Sequence, residues 1–164
     1  MELDPKSVDY VLTTTRSVRL RLDFDRPVDP QIILDCIDIA EQAPTGGNIG
    51  SRRWIVITDP KRKKQISELY LKSAGNWMIT ARDRLSGTGH PNEKMFKSAA
   101  YLAENLQRSP AIVIPAIIGI HDNSGRPGLF DSVIQSAWSF CLALRSRGLG
   151  TAWTTAILSE ADEL

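Results

Sequence analysis

The sequence predicts a mixed α/β or α+β domain, and three observations carry that prediction. Segments with a helical apolar period recur along the chain, several of them opened by an Asp-Pro pair. Between them lie about four short β-branched runs, so helices alternate with strands throughout. Repeats, low-complexity tracts and linkers are absent, and 164 residues make about one domain, long enough to bury a core. The expectation is one domain over residues 1–164.

Asp4-Pro5 supplies an N-cap followed by a proline at the first helical position. Val8, Val11 and Leu12 then form one stripe, so residues 5–15 are a short helix. From Val18 the chain alternates, with Val18, Leu20, Leu22 and Phe24 set against Arg19, Arg21 and Asp23, the pattern of a half-buried extended segment. Asp29-Pro30 repeats the start signal, Ile33, Cys36, Ile37 and Ala40 carry the helical period to Ala43, and Pro44 ends it. Residues 53–58 form a strand, and Asp59-Pro60 opens a helix that reaches roughly to Ala81. Its first turn carries Lys61-Arg62-Lys63-Lys64, cations that oppose the helix dipole; with no aromatic residue interleaved, they read as a solvated face.

Residues 82–94 are a polar surface excursion. Met95, Phe96, Ala99, Leu102, Ala103 and Leu106 mark a further helix that ends before Pro110. Ala111 to Ile120 is a buried strand in which Pro115 argues for an edge or a bulge, and His121 to Gly128 is a loop. Asp131 to Arg147 is a helix apolar nearly all round from Val133 to Leu144, which places it in a domain core or a subunit interface. Gly148-Leu149-Gly150 closes it, and Thr151 to Ile157 reads as a strand. Ser159 with Asp162 is a capping box that announces one more helix just before Leu164, so a further segment is expected.

Composition narrows the partners. The hydrophobic share of 42% and charged share of 24% are those of an ordinary globular protein. A net charge of +1 gives no footprint for nucleic acid or an anionic membrane. The longest apolar run, Ala111 to Ile120, is too short to span a bilayer. The acidic Met1-Glu2-Leu3-Asp4 lacks the features of a signal peptide. Cys36 and Cys141 lie far apart on apolar helical faces and read as reduced core residues of a cytosolic protein, with no partner at metal-ligand spacing.

Side-chain catalysts are missing from the sequence pattern. His90 and His121 sit in polar loops, and Asp35 and Asp38 sit at helix-surface spacing. There is no GxSxG, P-loop or GxGxxG, and the glycines at 46–50 follow a helix and precede a strand, the reverse of a dinucleotide fold. What remains is dispersed. Arg16, Ser17 and Arg19 place two guanidiniums and a hydroxyl together, which suits a phosphate or another anion but also plain surface charge. Thr45-Gly46-Gly47-Asn48 is a small polar loop that can bring backbone close to a ligand or serve as a connector. Thr151-Ala152-Trp153-Thr154-Thr155 adds a third polar stretch. Binding groups without an acid, base or nucleophile point to a cofactor that carries the chemistry.

Three blocks, in order, resemble the FMN-dependent nitroreductases over essentially the whole chain. They are Arg16-Ser17-Val18-Arg19; Ala43-Pro44-Thr45-Gly46-Gly47-Asn48 with the following Arg53-Trp54 strand ending at Thr58-Asp59; and Ala137 to Phe140 running through Arg147-Gly148-Leu149-Gly150 to Thr155. The resemblance implies an α+β subunit with a central, mostly antiparallel sheet flanked by helices, in an intertwined homodimer with FMN between subunits. It further implies that Arg16, Ser17 and Arg19 contact the flavin phosphate, ribityl chain and pyrimidine edge, where a cation favours the anionic reduced ring. Thr45, Gly46 and Asn48 would come from the second copy, and Trp153, Thr154 and Thr155 would lie along the flavin with backbone N–H near N5. No side chain is implied as catalyst. NADH or NADPH would donate hydride, and a nitroaromatic, quinone or similar small molecule would accept electrons. The same fold also supports dehalogenation, ene reduction or substrate oxidation, and a non-catalytic flavin-binding dimer. The chain departs from the family's pattern at Gly50, Ser51 and Arg52, where Gln, Pro and Trp are common. Family members commonly run some tens of residues further, with a basic residue for the FMN phosphate and an arm around the partner.

Overall fold

Three helices begin at Asp-Pro pairs, and in each the aspartate caps the first turn. Asp4 accepts from the Lys6 and Ser7 amides at 3.1 and 3.3 Å, Asp29 from Gln31 at 2.9 Å and Asp59 from Arg62 at 2.8 Å. The protein, seen here as a computed structural model, is described over residues 4–119 and 127–164. It divides into two compact units, one comprising Met1–Arg16, Val28–Val56 and Val113–Thr151, the other Ser17–Pro27, Ile57–Ile112 and Ala152–Leu164.

In the first unit, helices α1 (Pro5–Thr14), α2 (Pro30–Ala40) and α6 (Pro127–Ser146) accompany strands β1 (Arg52–Ile57) and β2 (Ile112–Ile117). Their far ends, Ile57 and Ile112, carry the chain into the other unit. The strands pair antiparallel, and the ladder continues with the Ile118 amide donating to the Ser51 carbonyl at 2.8 Å. Every strand of a two-stranded sheet is an edge, which accommodates Pro115 within β2. The core lies between α2 and α6, where Ile33, Cys36 and Ala40 bury against a face that includes Ala137, Phe140 and Leu144. Phe140 also meets Trp54 of β1, with ring centroids 5.1 Å apart. The α6 helix begins at Pro127, earlier than its apolar period suggests, because Pro127 is itself a good first-turn residue. Its opposite face is open, with Ile134 53% and Trp138 41% exposed. The loop expected from His121 to Gly128 otherwise lies outside the described residues.

In the second unit, α3 (Pro60–Tyr70) passes through one π turn (Leu71–Gly75) into α4 (Asn76–Leu85), and α4 packs on α5 (Glu93–Asn105). Gly75 permits that approach: a Cβ there would stand 3.2 Å from both the Ala103 Cβ and the Tyr70 carbonyl oxygen. Of the basic run, Lys63 donates to the Ser109 carbonyl at 2.8 Å, while Lys61, Arg62 and Lys64 are exposed. The Glu93 carboxylate accepts from the Gly87 and Gly89 amides at 2.8 and 3.1 Å, and His90 Nδ1 accepts from the Asn92 amide at 3.1 Å. That histidine is part of the turn.

The sequence pattern suggests about four strands; two form among the described residues. Residues 18–24 bend instead, with the Leu22 amide donating to the Arg19 carbonyl at 3.2 Å and Leu20 48% exposed. Alternation alone holds no strand without a partner ladder. The segment is set by Phe24, which lies against Tyr101 at 6.1 Å with the Arg108 guanidinium over its ring at 5.4 Å. Likewise Thr151 to Ile157 is no strand, and a 3₁₀ segment (Ala156–Glu163) begins inside it. The Ser159 hydroxyl donates to the Ala156 carbonyl at 3.3 Å, so it does not serve as the expected helix cap. Lys72 of the π turn holds this segment through Glu160, at 2.6 Å, and Glu163. Among the described residues no helix is long and apolar enough to cross a membrane.

Candidate functional site

The loop after α2 is built by its backbone. With α2 ended at Ala40, the Gln42 and Ala43 amides turn back to the Ile39 and Ala40 carbonyls at 3.2 and 3.1 Å. Pro44 cannot continue the helix. Thr45 is extended, and a 3₁₀ turn over Gly46–Asn48 follows in which Gly47 and Asn48 have φ of 63° and 56°. Two consecutive left-handed residues need the types that tolerate them, and glycine and asparagine are those. Gly46, Gly47 and Asn48 are exposed and Thr45 is half-buried.

The loop is fastened to α6 from below. The Gly46 amide donates to Ser132 Oγ at 2.9 Å, and one turn along, the fully buried Ser136 donates to the Ala40 carbonyl at 2.8 Å. Both serines are missed by reading α6 as apolar nearly all round; two small polar residues four apart on one helix face are the signal that finds them. Arg52 ties the same loop to α6. It is 7% exposed, and its terminal nitrogens donate to the Glu41 carbonyl at 2.7 Å, the Ala43 carbonyl at 3.0 Å and the Ser132 carbonyl at 3.4 Å. Its Nε stands 3.3 Å from a Glu41 carboxylate oxygen, an ion-pair distance without hydrogen-bond alignment, and that same oxygen accepts from Trp54 Nε1 at 2.7 Å. A cation just beyond the C-terminus of α2, at the Glu41 carbonyl, also complements the helix dipole.

The other two candidate groups lie at helix exits. The buried Thr15 closes α1, its hydroxyl donating to the Val11 carbonyl at 2.6 Å. Arg16 is exposed and donates to the Thr15 carbonyl at 2.7 Å, Ser17 is exposed, and Arg19 is half-buried. Trp153 is 39% exposed, and Thr155 is exposed. Thr154 donates to the Tyr70 hydroxyl and accepts from the Ala156 amide, each at 3.4 Å, and Tyr70 in turn faces Met78 Sδ at 3.8 Å. The candidates are divided between the units. Arg16, Thr45, Gly46 and Asn48 fall in the first, and Ser17, Arg19, Trp153, Thr154 and Thr155 in the second. Within the first, Thr45, Gly46 and Asn48 share one turn.

These residues can donate and accept hydrogen bonds, and most have capacity to spare. Among the described residues, the side chains of Ser17, Arg19, Thr45, Asn48, Trp153 and Thr155 make no hydrogen bond within the protein. Those of Arg16 and Thr154 are already engaged. No cluster of His, Cys, Asp or Glu suited to a metal ion occurs among the described residues. Cys36 and Cys141 are buried and free, and burial pushes both thiols above their ordinary pKa.

Helices together with a small antiparallel sheet define an α+β protein. The chain belongs to the nitroreductase family, whose model matches residues 12–163. Its fold is the nitroreductase-like one. It is similar to a BluB-like flavoprotein from Clostridium difficile 630 (19% identity, 99% of this chain and 78% of that one, TM-score 0.67). It is also similar to an iodotyrosine deiodinase bound to FMN and 3-iodo-L-tyrosine (17% identity, 94% and 81% covered, TM-score 0.66). A third is the FMN-dependent nitroreductase NfnB from Mycobacterium smegmatis, in complex with NADPH (12% identity, 89% and 73% covered, TM-score 0.62). No curated protein sequence matches the chain significantly.

Proposed function

We propose that this protein is an FMN-dependent oxidoreductase that takes hydride from NADH or NADPH and passes electrons to a nitroaromatic, a quinone or a similar acceptor. The observation that carries this reading is the family match over residues 12–163, which runs through both units and through all three candidate groups. It supports treating residues 1–164 as one FMN-binding domain. The chemistry of the donor set fits FMN. The cofactor presents a phosphate, a hydroxyl-bearing chain and a ring edge of carbonyls and nitrogens. The candidates offer two guanidiniums, hydroxyls, an amide and an indole N–H, with no carboxylate among them.

Arg16, Ser17 and Arg19 hold the phosphate, ribityl chain and pyrimidine edge. Trp153, Thr154 and Thr155 flank the ring; since the Thr154 hydroxyl is engaged with Tyr70, its contribution is backbone. Thr45, Gly46 and Asn48 reach the flavin across a homodimer interface. Gly46, whose amide is spent on Ser132, contributes closeness of approach. When bound, FMN supplies hydride acceptance and return. The arginines stabilise the charge that accumulates on reduction. The open face of α6, with Ile134 and Trp138 one turn apart, supports the dimer, because an exposed apolar stripe marks an interface. The protein acts in the cytoplasm on a small molecule.

Purified protein should be yellow, with absorbance near about 450 nm as for oxidised flavins generally, and should bleach when NADH or NADPH is added under argon. Colourless protein that takes up no added FMN overturns the reading. Flavin that resists NAD(P)H but accepts electrons from another donor moves the reaction to dehalogenation, ene reduction or substrate oxidation, a direction the deiodinase neighbour makes worth testing. Sedimentation of the same sample should return twice the mass of the chain. A monomer at about 10 μM removes the shared site.

A further inference from the structure

Arg52 is buried, and a buried guanidinium needs a reason. Its side chain is 4% exposed. Such a charge is costly to bury unless it is paired and hydrogen-bonded; here both terminal nitrogens donate to backbone carbonyls, and Nε stands 3.3 Å from a Glu41 carboxylate oxygen without donating to it. One terminal nitrogen takes the carbonyls of Glu41 and Ala43, at 2.7 and 3.0 Å, which lie just before the loop at 44–51. The other takes the Ser132 carbonyl at 3.4 Å. Arg52 itself begins β1, just after the loop. One guanidinium thus joins the loop's two ends to each other and to α6. Ser132 is the joint, because its hydroxyl also receives the Gly46 amide at 2.9 Å. Between these fastenings the backbone holds the two left-handed residues Gly47 and Asn48, a conformation that is sparsely populated unless its surroundings impose it.

We propose that Arg52 is the positioning residue of the Thr45–Asn48 loop, holding it in the conformation in which it contacts the cofactor. This rests on the flavin reading above. Geometry explains why arginine serves: the three carbonyls are spread around a planar fork, whereas a lysine ammonium is a single point that cannot span them. The carbonyls of Glu41 and Ala43 also lose their partner in any variant without that fork, and they then compete for the amides of the turn.

The test uses Arg52→Met and Arg52→Lys, with two measurements on each. The first is hydrogen–deuterium exchange in protein without flavin. Amides of Gly46 to Ile49 should exchange about tenfold faster in R52M and by an intermediate factor in R52K. Amides of Phe96 to Ala103 in α5 should be unchanged. The second is FMN titration by fluorescence, where the dissociation constant should rise about tenfold in R52M, in parallel with loop exchange. Loop exchange unchanged in a folded R52M or R52K overturns the proposal. So does a mobilised loop with unaltered FMN affinity, and so does faster exchange throughout both units, which marks Arg52 as a general stabiliser. If R52M does not fold, R52K and Ser132→Ala decide, since S132A removes the acceptor of the Gly46 amide and keeps the guanidinium. S132A should speed exchange of Gly46 more than that of Ala43. Wild-type protein that takes up no FMN defeats the functional reading alone, because the exchange arm tests the clamp without cofactor.

Discussion

Replacing Arg16 and Arg19 together with alanine should weaken FMN binding by about a hundredfold or more. Hydrogen bonds to charged groups contribute roughly 1.5–3 kcal/mol each, and about 1.4 kcal/mol is a factor of ten. Arg16 is exposed and already donates to a carbonyl of its own chain, so its share falls at the lower end. Arg19 is half-buried and, among the described residues, its guanidinium makes no hydrogen bond, which makes it the stronger of the two. Fluorescence titration measures the effect, and its salt dependence adds a second readout. Affinity of the wild type should fall as salt rises, and the double variant should show a flatter response, since the screened charges are gone. Exposed Arg21, two residues further along, is the control: Arg21→Ala should leave affinity unchanged. A double variant within threefold of wild type removes these residues from the site.

Phe140→Ala should lower stability by about 3–5 kcal/mol, the range for deleting a large aromatic side chain from a packed core. Phe140 is 7% exposed on α6, and its ring meets Trp54 at 5.1 Å with the planes inclined by 48°. For a chain of this size that loss corresponds to a fall in Tm of roughly 10 °C. Urea midpoints measure it, with Ile55→Ala as comparison; Ile55 is 50% exposed on the same strand and its truncation should cost no more than about 0.5 kcal/mol. The consequence reaches the loop, because Trp54 also donates to Glu41, the residue whose carbonyl Arg52 holds. A Phe140→Ala variant within 1 kcal/mol of wild type (about the size of one net hydrogen bond) would mean that β1 is not fastened through this pair.

Much of the fold was legible because its signals are local. The caps Asp4, Asp29 and Asp59 bind amides two or three residues away, so the information for each helix start lies within one turn. The α2 helix ends at Ala40, three residues short of the Ala43 to which its period runs, so Pro44 marks the loop rather than the last helical turn. The helical periods of α2 and α5 marked residues that are buried, Ile33, Cys36 and Ala40 in one and Phe96, Ala99, Leu102 and Ala103 in the other, and Cys141 of α6 is buried as its face suggested. Strands were harder. The alternation from Val18 to Phe24 is as regular as that of many strands, yet no ladder forms over it, because a strand exists only where a second one supplies its hydrogen bonds. The anchoring of Phe24 by Tyr101 and Arg108 depends on residues some eighty positions away.

The sequence by itself determined the family, the helix starts and the small-residue loop, since all of these are written in neighbouring residues. Only the tertiary structure decided where the side chain of Arg52 lies. In sequence, Arg52 is one of three neighbouring residues that depart from the pattern of the family the chain resembles. In three dimensions it is buried, with the carbonyls of Glu41, Ala43 and Ser132 around its guanidinium. The physical reason is that backbone carbonyls carry no sequence signature. A charge that binds side chains leaves a complementary residue to find, whereas a charge that binds the ends of a helix and a loop is recognised only once the fold has brought those ends together.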